Sequence, residues 1–325
     1  MNSTADLDVL AREAVLRPRT GRELIVATGA DRSRFLNGIV TGNVAGTPVG
    51  GGCLSALLTP KGQVVTDMRI FVRADDFWIV VDAGQAETVA TSLSRYAIMD
   101  DFAATARPDV AFSSLLGPAA SARLAAIGAD PGPLAAAPPL AHVQVPTPAG
   151  ELWIARVREL GADGFWLGAP AAVLADVQAR LVAAGTPELE PAAAEAARIS
   201  ALEPRFGAEI TSDYFPMEVG LSAAIDYGKG CYLGQEPIVR IRDRGHINWR
   251  LVGLDVDGPT DPAASDPIES ETKPKAGRVT SAGRLPDGRG VALAMLHTSV
   301  PVGATVHVRH GEARIGARVR AETSK

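Results

Sequence analysis

One segment of the chain concentrates residue types that can do chemistry. It reads KGCYLGQEP over residues 229–237 and contains Cys231, one of two cysteines among 325 residues. Glycines on both sides of Cys231 let the backbone bend and expose the thiol. Lys229, two residues earlier, adds a positive charge that favours the thiolate, the nucleophilic form of cysteine. The pattern predicts a reactive thiol on a loop; the alternative is an exposed cysteine with no function.

The residues after the cysteine add further polar groups to the same segment. Gln235 and Glu236 supply an amide and a carboxylate, and a β-rich stretch follows Pro237. The next three arginines alternate along the chain: Arg240, Arg242 and Arg244. An extended backbone would project all three to one face. This face is interpreted either as a solvated basic stripe or as a docking surface for an acidic ligand or partner.

The cysteine and histidine content argues against a metal site or a disulfide framework. Cys53 lies beside apolar residues, which is typical of a structural cysteine. Two cysteines are too few for a framework of disulfides. The chain has no CxxC pair and its five histidines are scattered, so no zinc site is expected. One thiol alone cannot hold an iron–sulfur cluster.

Composition narrows the class of protein. With 325 residues, 46% of them hydrophobic, two or three modules are expected. The net charge of −5 argues against binding of nucleic acid regardless of sequence, because such binding depends on Lys and Arg. No apolar run reaches the roughly 18 residues that cross a bilayer. Residues 1–10 lack the basic and apolar regions of a secretory signal, so we expect a cytoplasmic protein.

Two stretches of the chain have the same predicted order of strand, strand and helix. In the first, the turn Thr59-Pro60-Lys61-Gly62 precedes strands at 64–73 and 77–81 and a helix at 85–97. In the second, strands at 151–157 and 165–167 precede a helix at 171–184 with an apolar stripe. The pair Phe77-Trp78 recurs as Phe165-Trp166. The stretches are interpreted as halves of a repeat or as two ordinary hairpin–helix units with a chance match.

Other predicted elements fill the rest of the chain. Asp31 is expected to cap a helix at 32–39, and an Ala-rich helix is expected to reach Ser200. Pro and Ala are frequent at 131–139, which predicts a surface loop. Residues 257–275 resemble a linker, and 277–321 alternate short β-rich runs with glycine turns. The predicted class is α+β with a small antiparallel barrel or sandwich at the end.

The segment 229–236 matches, residue for residue, the KGC[YF]xGQE element of the YgfZ-type proteins, which bind folate and maintain iron–sulfur enzymes. These proteins are related to the glycine-cleavage aminomethyltransferase (GcvT). Further segments are similar to the family in order and spacing, and the resemblance spans roughly Glu23 to Val319. They are Gly29–Asn37, Leu58–Asp67, Arg95-Tyr96, Phe215–Glu218, Gly277–Ser281 and Ala292–Ala294.

The resemblance implies a fold, a cofactor and partners. The fold would be a three-module ring around a central folate channel, with two interleaved α+β modules in residues 1–250 and an antiparallel β-barrel in 251–325. The cofactor would be tetrahydrofolate or another folate. The function would be support of the assembly or repair of iron–sulfur enzymes, including tRNA-modifying ones. Cys231 and Lys229 would be the catalytic residues, and Tyr232, Gln235, Glu236 and Arg240 would contact the cofactor, with Arg240 near its glutamate tail.

The related aminomethyltransferase indicates three candidate folate contacts, and Tyr96 is a fourth candidate. Its element Gly-Gly-Ile-Ile-Asp-Asp corresponds to residues 62–67, where Asp67 remains and Thr66 replaces the other acid. Its Val-Val-Asn-Ala corresponds to 80–83 and marks Asp82, and Tyr96 is a candidate for stacking on a ring. Its Arg-Leu-Glu-Ala-Gly corresponds to 198–202, where Ser200 replaces the glutamate, and Glu203 would substitute for it if both face the same side of a helix. The alternatives are a solvated Asp67 and a Tyr96 packed in the core.

Three functions remain open from the sequence. The first is a folate-dependent accessory protein for iron–sulfur enzymes, which Cys231 favours. The second is a tetrahydrofolate-dependent aminomethyltransferase or demethylase, which the replacement of the paired acid and of the glutamate weakens. The third is a scaffold that has kept the fold and lost folate.

Overall fold

The computed structural model describes residues 7–271 and 273–323. The chain divides into two compact units. The first contains the described residues up to Leu57, Asp67–Glu190 and Gly228–Tyr232; the second contains Leu58–Thr66, Pro191–Tyr227 and the chain from Leu233. The expectation of no secretory signal concerns residues 1–10, of which the first six lie outside the described part. None of the described helices is both long and apolar enough to cross a bilayer.

The first unit is built on two five-stranded sheets. The strands of the first sheet are β2 (Arg22–Thr28), β3 (Gly52–Leu58), β4 (Val64–Val72), β5 (Phe77–Asp82) and β6 (Ala103–Ala106). Those of the second sheet are β1 (Val15–Arg17), β7 (Val110–Leu116), β8 (His142–Thr147), β9 (Gly150–Glu159) and β10 (Ala162–Pro170). The predicted hairpin at Thr59–Gly62 is confirmed as the connection between β3 and β4, and its tip belongs to the second unit.

The strand orders of the two sheets support the repeat interpretation. The first sheet has the order β3-β4-β5-β2-β6 and the second β8-β9-β10-β7-β1. Each central strand thus has an equivalent at the same position of the other sheet, with β5 matching β10 and β2 matching β7. Only the last strand differs in origin, because β6 follows its repeat in sequence whereas β1 comes from near the start of the chain.

The described α-helices of this unit are α1 (Leu7–Arg12), α2 (Arg32–Ile39), α3 (Ala86–Tyr96), α4 (Ala120–Ala126) and α5 (Ala171–Ala183). Of these, α2, α3 and α5 were predicted and are confirmed. The predicted stripe of α5 is buried at Leu174, Val177 and Leu181. Asp31 precedes α2 without capping it; its carboxylate accepts the Asp101 N–H at 2.9 Å instead. The loop predicted at 131–139 contains a short 3-10 helix, Gly132–Ala136.

The second unit contains a closed six-stranded barrel with the order β11-β14-β13-β12-β15-β16. Its strands are β11 (Trp249–Val256), β12 (Pro267–Ser270), β13 (Lys273–Arg284), β14 (Gly290–His297), β15 (Thr305–His310) and β16 (Ala313–Glu322). The predicted α+β class and terminal barrel are therefore confirmed. The linker predicted at 257–275 is wrong in its second half, because β12 and the start of β13 lie there. Ile268 accounts for this, since its fully buried side chain is part of the barrel core. The division at residue 250 stays a prediction.

The described part of the second unit also contains α-helices α6 (Pro191–Ser200) and α7 (Gln235–Arg244), with 3-10 turns at Pro216–Val219 and Ser222–Ala224. The predicted α6 is confirmed. The extended backbone predicted after Pro237 is wrong, because residues 235–244 are helical. Pro237 is tolerated in the first turn of α7, where the backbone N–H has no acceptor within the helix. At about 100° per residue, Arg240 and Arg244 share a side of α7 whereas Arg242 faces away, so the three arginines do not form one stripe.

Candidate functional site

Asp67 lies in β4 and is only 7% exposed. Residues two apart on a strand share a face, so Arg69 extends from the same side of β4. The Arg69 Nη1 donates to Asp67 Oδ2 at 3.0 Å. A buried carboxylate is tolerated when a guanidinium pairs with it, because the pairing offsets the loss of hydration. The alternative of a solvated Asp67 on a loop is wrong.

Asp82 ends β5 directly opposite Arg22 of β2, and the two side chains form an ion pair. Both are largely buried, with 13% and 14% of their side chains exposed. Asp82, which was predicted as a folate contact, therefore already has a guanidinium partner within the protein. Burial lowers the pKa of Arg69, as does the charge of Arg22, while Asp67, Asp82 and Glu159 raise it. The buried cations and anions thus depend on one another.

Trp166 of β10 connects the two arginines to a third carboxylate. The guanidinium carbons of Arg22 and Arg69 lie 5.3 and 5.2 Å from its ring centroid, within the range of cation–π attraction. Its indole N–H donates to Glu159 Oε2 at 3.1 Å. We call Arg22, Arg69, Asp67, Asp82, Trp166 and Glu159 the buried charge cluster.

Glu159 is the third carboxylate of the buried charge cluster and is only 4% exposed. It accepts from Arg17 Nη1 at 2.5 Å and from the Ser114 hydroxyl. Sequence reasoning missed Arg17, Arg22, Arg69, Glu159 and Trp166 as contributors. A charged residue inside an otherwise apolar strand would have indicated some of them. Such a pattern does not show which residues far apart in sequence form pairs.

The thiol of Cys231 is exposed, as predicted. The loop around it has a fixed point at Lys229, whose Nζ donates to the carbonyls of Val40 at 2.7 Å and Gly42 at 2.6 Å. The same ammonium lies 5.2 Å from the ring centroid of Tyr232, which is 7% exposed. Lys229 therefore acts at least as a tether between the loop and residues 40–42, and its activation of Cys231 stays a prediction.

Lys229 also influences the other cysteine. Burial raises the pKa of the Cys53 thiol, while a hydrogen bond with Thr47 and the charge of Lys229 lower it. Cys53 is half-buried rather than exposed. The two thiols thus differ in access, which agrees with the structural role predicted for Cys53.

The end of the motif is fixed within the second unit by close packing of glycines. Gly234 has φ +77°, and a Cβ there would lie 2.3 Å from the carbonyl oxygen of Thr59. Gly62 has φ +80°, and its Cβ would lie 3.1 Å from the Gly234 oxygen. Any larger residue at 234 would collide with backbone. The turn 59–62 and the GQE part of the motif therefore pack directly on each other.

Four further candidate residues occupy exposed or half-buried positions. Tyr96 ends α3 and is 44% exposed, so its interpretation as core packing is wrong. Gln235 and Glu236 open α7, and Glu236 forms an exposed ion pair with Arg240 at 3.2 Å. Such pairs contribute little to stability. Their roles in folate binding stay predictions.

The helical alignment proposed for Glu203 with Ser200 is wrong. Helix α6 ends at Ser200, and Leu202 has a left-handed backbone with φ +60°. The Glu203 carbonyl accepts from Arg198 Nη1 at 2.6 Å. Glu203 is therefore placed by a turn after the helix and not by helical periodicity.

Apart from Tyr96, the structure groups the predicted residues of the first unit in two places. Asp67 and Asp82 belong to the buried charge cluster, and Lys229, Cys231 and Tyr232 belong to the thiol loop. Within the described residues, no group of three or more His, Cys, Asp or Glu side chains is arranged to hold a metal ion.

Comparison with known proteins identifies the family. The model of the GCVT N-terminal domain matches residues 21–229. An aminomethyltransferase of Herpetosiphon aurantiacus is 28% identical over 296 residues, which is 90% of this chain and 81% of that protein. One of Bordetella parapertussis is 32% identical over 198 residues, 60% of this chain and 54% of that protein.

A solved structure extends the similarity to the whole fold. The crystal structure of glycine cleavage system aminomethyltransferase T from Bartonella henselae has a TM-score of 0.85 and 23% identity, covering 96% of this chain and 86% of that one. The finer resemblance to YgfZ-type proteins stays a prediction. The matched domain accounts for well over half of the residues, and the chain belongs to the GcvT family.

Proposed function

We propose that this protein binds tetrahydrofolate and acts in one-carbon transfer as an aminomethyltransferase-like protein. Aminomethyltransferases of this family use tetrahydrofolate. The relatives described above carry that name and match nine-tenths of the chain in one case. These similarities support this function better than support of iron–sulfur enzymes.

The observation that carries the proposal is the state of Asp67. Its carboxylate is 7% exposed and held by Arg69 at 3.0 Å, in the motif position that resembles the folate-facing acid of the aminomethyltransferase. A pterin presents N–H donors, and a carboxylate paired with a guanidinium is a strong acceptor for them. The residue present therefore fits the cofactor at this position.

The two aspartate–arginine pairs of the cluster have defined tasks in this proposal. Asp67 would accept a hydrogen bond from the cofactor, and Arg69 would orient that carboxylate. Asp82 is held by Arg22 and would act mainly through the field of the cluster. When bound, tetrahydrofolate supplies the amine that carries the one-carbon unit. Thr66, in place of the second acid, replaces a carboxylate acceptor of the element with a hydroxyl.

Calorimetric titration with tetrahydrofolate tests the proposal. We expect saturable heat with the full-length protein, and competition by a folate analogue. Absence of heat and of competition would favour the scaffold that has lost folate. Product analysis with an aminomethyl donor then tests whether the bound folate takes part in transfer.

A second function, support of iron–sulfur enzymes, is favoured by one specific observation. Cys231 is exposed in a loop that Lys229 tethers through two carbonyls, so the thiol is presented to solvent at a fixed place. The motif around it resembles the YgfZ-type element. Measuring the activity of iron–sulfur enzymes in cells that carry Cys231→Ala, with Cys53→Ala as the matched control, tests this function. Wild-type activity in the Cys231→Ala cells would remove its main support.

A further inference from the structure

Trp166 lies where the two sheets of the first unit face each other. Its side chain is only 1% exposed and belongs to the same apolar cluster as Val80 of β5. Arg69 lies opposite Val80 in the register of β4 and β5. Arg22 lies opposite Asp82, two residues after Val80 on β5. Alternation along the strands therefore directs both arginines to the face of the first sheet that Trp166 covers.

The indole ring of Trp166 contacts both guanidinium groups. Their carbon atoms lie 5.2 Å (Arg69) and 5.3 Å (Arg22) from the ring centroid. The charge of Arg22 acts against that of Arg69, because two cations near the same ring repel each other. The face of an indole attracts cations, and the attraction is larger where water is excluded. The ring therefore offsets part of the repulsion and holds each guanidinium in place.

The orientation of this ring is fixed at its edge by Glu159. The indole N–H of Trp166 donates to Glu159 Oε2 at 3.1 Å, and the same oxygen accepts from the hydroxyl of Ser114. The other oxygen, Oε1, accepts from Arg17 at 2.5 Å. Because both oxygens are engaged, the carboxylate offers the indole a single hydrogen-bonded position. A buried N–H that loses its acceptor costs stability, so the ring keeps this orientation.

The contacts form one connected path from Glu159 to Asp67. Glu159 orients the indole, the indole holds Arg69, and Arg69 donates to Asp67 Oδ2 at 3.0 Å. Trp166 and Glu159 are 1% and 4% exposed, so they act through Arg69 and not by contact with a ligand. On the premise that the protein binds folate, as proposed above, we propose that Trp166, oriented by Glu159, is a positioning residue that places the Asp67 carboxylate for the cofactor.

Calorimetric titration of full-length Trp166→Phe with tetrahydrofolate tests the proposal. The substitution keeps an aromatic ring and removes the N–H that Glu159 accepts. Phenylalanine also attracts a cation less strongly than an indole does. We expect the Kd to rise at least about fivefold, because Arg69 is held less firmly beside Asp67. Circular dichroism verifies that the variant is folded.

Trp153→Phe is the matched control. Trp153 is 2% exposed and belongs to the same apolar cluster, and its ring packs against the rings of Phe71 and Trp78. Both variants lose one buried indole, whereas the contacts with Arg22 and Arg69 belong to Trp166. The control should bind tetrahydrofolate with a Kd within about twofold of wild type. An equal rise in the two variants would overturn the proposal, because loosening of the core would then explain both.

A double-mutant cycle with Asp67→Asn separates positioning from a purely structural role. If Trp166 acts through the carboxylate, Trp166→Phe should raise the Kd less than about twofold in the Asp67→Asn background. The same factor in both backgrounds would contradict the path, because independent residues have additive effects. Glu159→Gln is the second variant. It keeps the size of the side chain, removes a charge that acts on Arg69, and should show the same dependence on Asp67.

Indole N–H signals in heteronuclear NMR spectra give a readout that does not depend on folate. The protein has four tryptophans, and the signal of Trp166 is assigned by its absence in Trp166→Phe. Without folate, Asp67→Asn should shift this signal more than that of Trp153, because an N–H shift follows its hydrogen bond. A missing shift would overturn the path even in a protein that binds folate. If the shift is present and wild type binds no tetrahydrofolate, the proposed function fails while the connection between Asp67 and Trp166 stands.

Discussion

Asp67 and Cys231 belong to the same unit of the chain, but their surroundings differ in burial and in the way neighbouring charges are held. Asp67 is nearly inaccessible and joins a set of buried ions and one indole that span both sheets of that unit. Cys231 is exposed, and the nearest charge in its loop, Lys229, is engaged by two backbone carbonyls.

The difference separates two kinds of functional region. Charges removed from water stabilise only when each has its partner, so a change to one member of the buried charge cluster affects all of them. The thiol loop exposes the Cys231 thiol to solvent. The position of the loop depends on Lys229, which is tethered to backbone carbonyls and is not itself the reacting group. Substitutions in the two regions should therefore differ in their effect on the free energy of unfolding.

The largest effect is expected for Glu159→Ala. The substitution leaves Arg17 and the indole N–H of Trp166 without their buried acceptor, so the free energy of unfolding should fall by about 3–5 kcal/mol. Urea unfolding followed by circular dichroism measures it. Glu151→Ala, exposed on the same strand, is the control and should change little. Equal losses for the two variants would break the contrast between buried and exposed charges.

A pH-dependent effect of intermediate size is expected at His142. This residue packs against the rings of Phe71 and Trp153, and burial lowers the pKa of its imidazole to about 4. The unfolded chain takes up the proton near pH 6.5, whereas the folded protein resists it until about pH 4. Stability is therefore retained above about pH 6.5 and lost as the pH falls towards 4, by about 3 kcal/mol.

His142→Leu isolates this contribution because leucine has no proton to bind. Unfolding free energies at pH 7 and pH 4.5 should differ less in the variant than in wild type, although carboxylates titrate in both proteins. An identical pH dependence would show that the imidazole is accessible to protons in the folded protein, and the second sheet would then be less tightly packed than the structure indicates.

Lys229→Met tests the tether of the thiol loop. Loss of the ammonium removes two charge-assisted hydrogen bonds, and the free energy of unfolding should fall by about 1–3 kcal/mol. Lys61→Met, at the exposed turn before β4, is the matched control. The pKa of Cys53 should rise in Lys229→Met, because the charge that lowers it is gone. Alkylation of Cys53 as a function of pH in a Cys231→Ser background measures that shift, and an unchanged profile would contradict the placement of Lys229.

The smallest effect on stability is expected for Cys231→Ala. An exposed side chain outside the core should change the free energy of unfolding by no more than about 0.5 kcal/mol. In the wild-type protein, a thiol reagent should modify Cys231 before Cys53, which is half-buried. Faster modification of Cys53, detected by peptide mass mapping, would reverse the assignment of the accessible thiol.

Much of the fold follows from local patterns in the sequence. The turn at Thr59–Gly62 and the apolar stripe of α5 were predictable because each depends on residues close together in the chain. Helix α7 was not predictable, because Pro237 and the alternating arginines are also compatible with an extended chain. The structure shows that the helix begins directly after Gly234, which has a left-handed backbone. The strand β12 was hidden by polar residues that the barrel tolerates around the single buried Ile268.

The candidate site divides in the same way. The exposure of Cys231 was predictable from its flanking glycines. The pairing of Arg22 with Asp82 was not, because the two residues meet only through the register of β2 and β5. Strand alternation predicts that Asp67 and Arg69 lie on the same face of β4. The burial of Asp67 was not predictable, because it depends on packing between segments that are distant in sequence.

The most direct test of the central claim is the affinity of the full-length protein for tetrahydrofolate when Asp67 is changed to asparagine. Asp67→Asn keeps the size of the side chain and removes its charge, so calorimetry should show an affinity at least about tenfold lower. Asp75→Asn, exposed in the turn after β4, should stay within about twofold of wild type. Wild-type affinity in a folded Asp67→Asn variant would contradict the account, because the buried carboxylate would then have no part in folate binding.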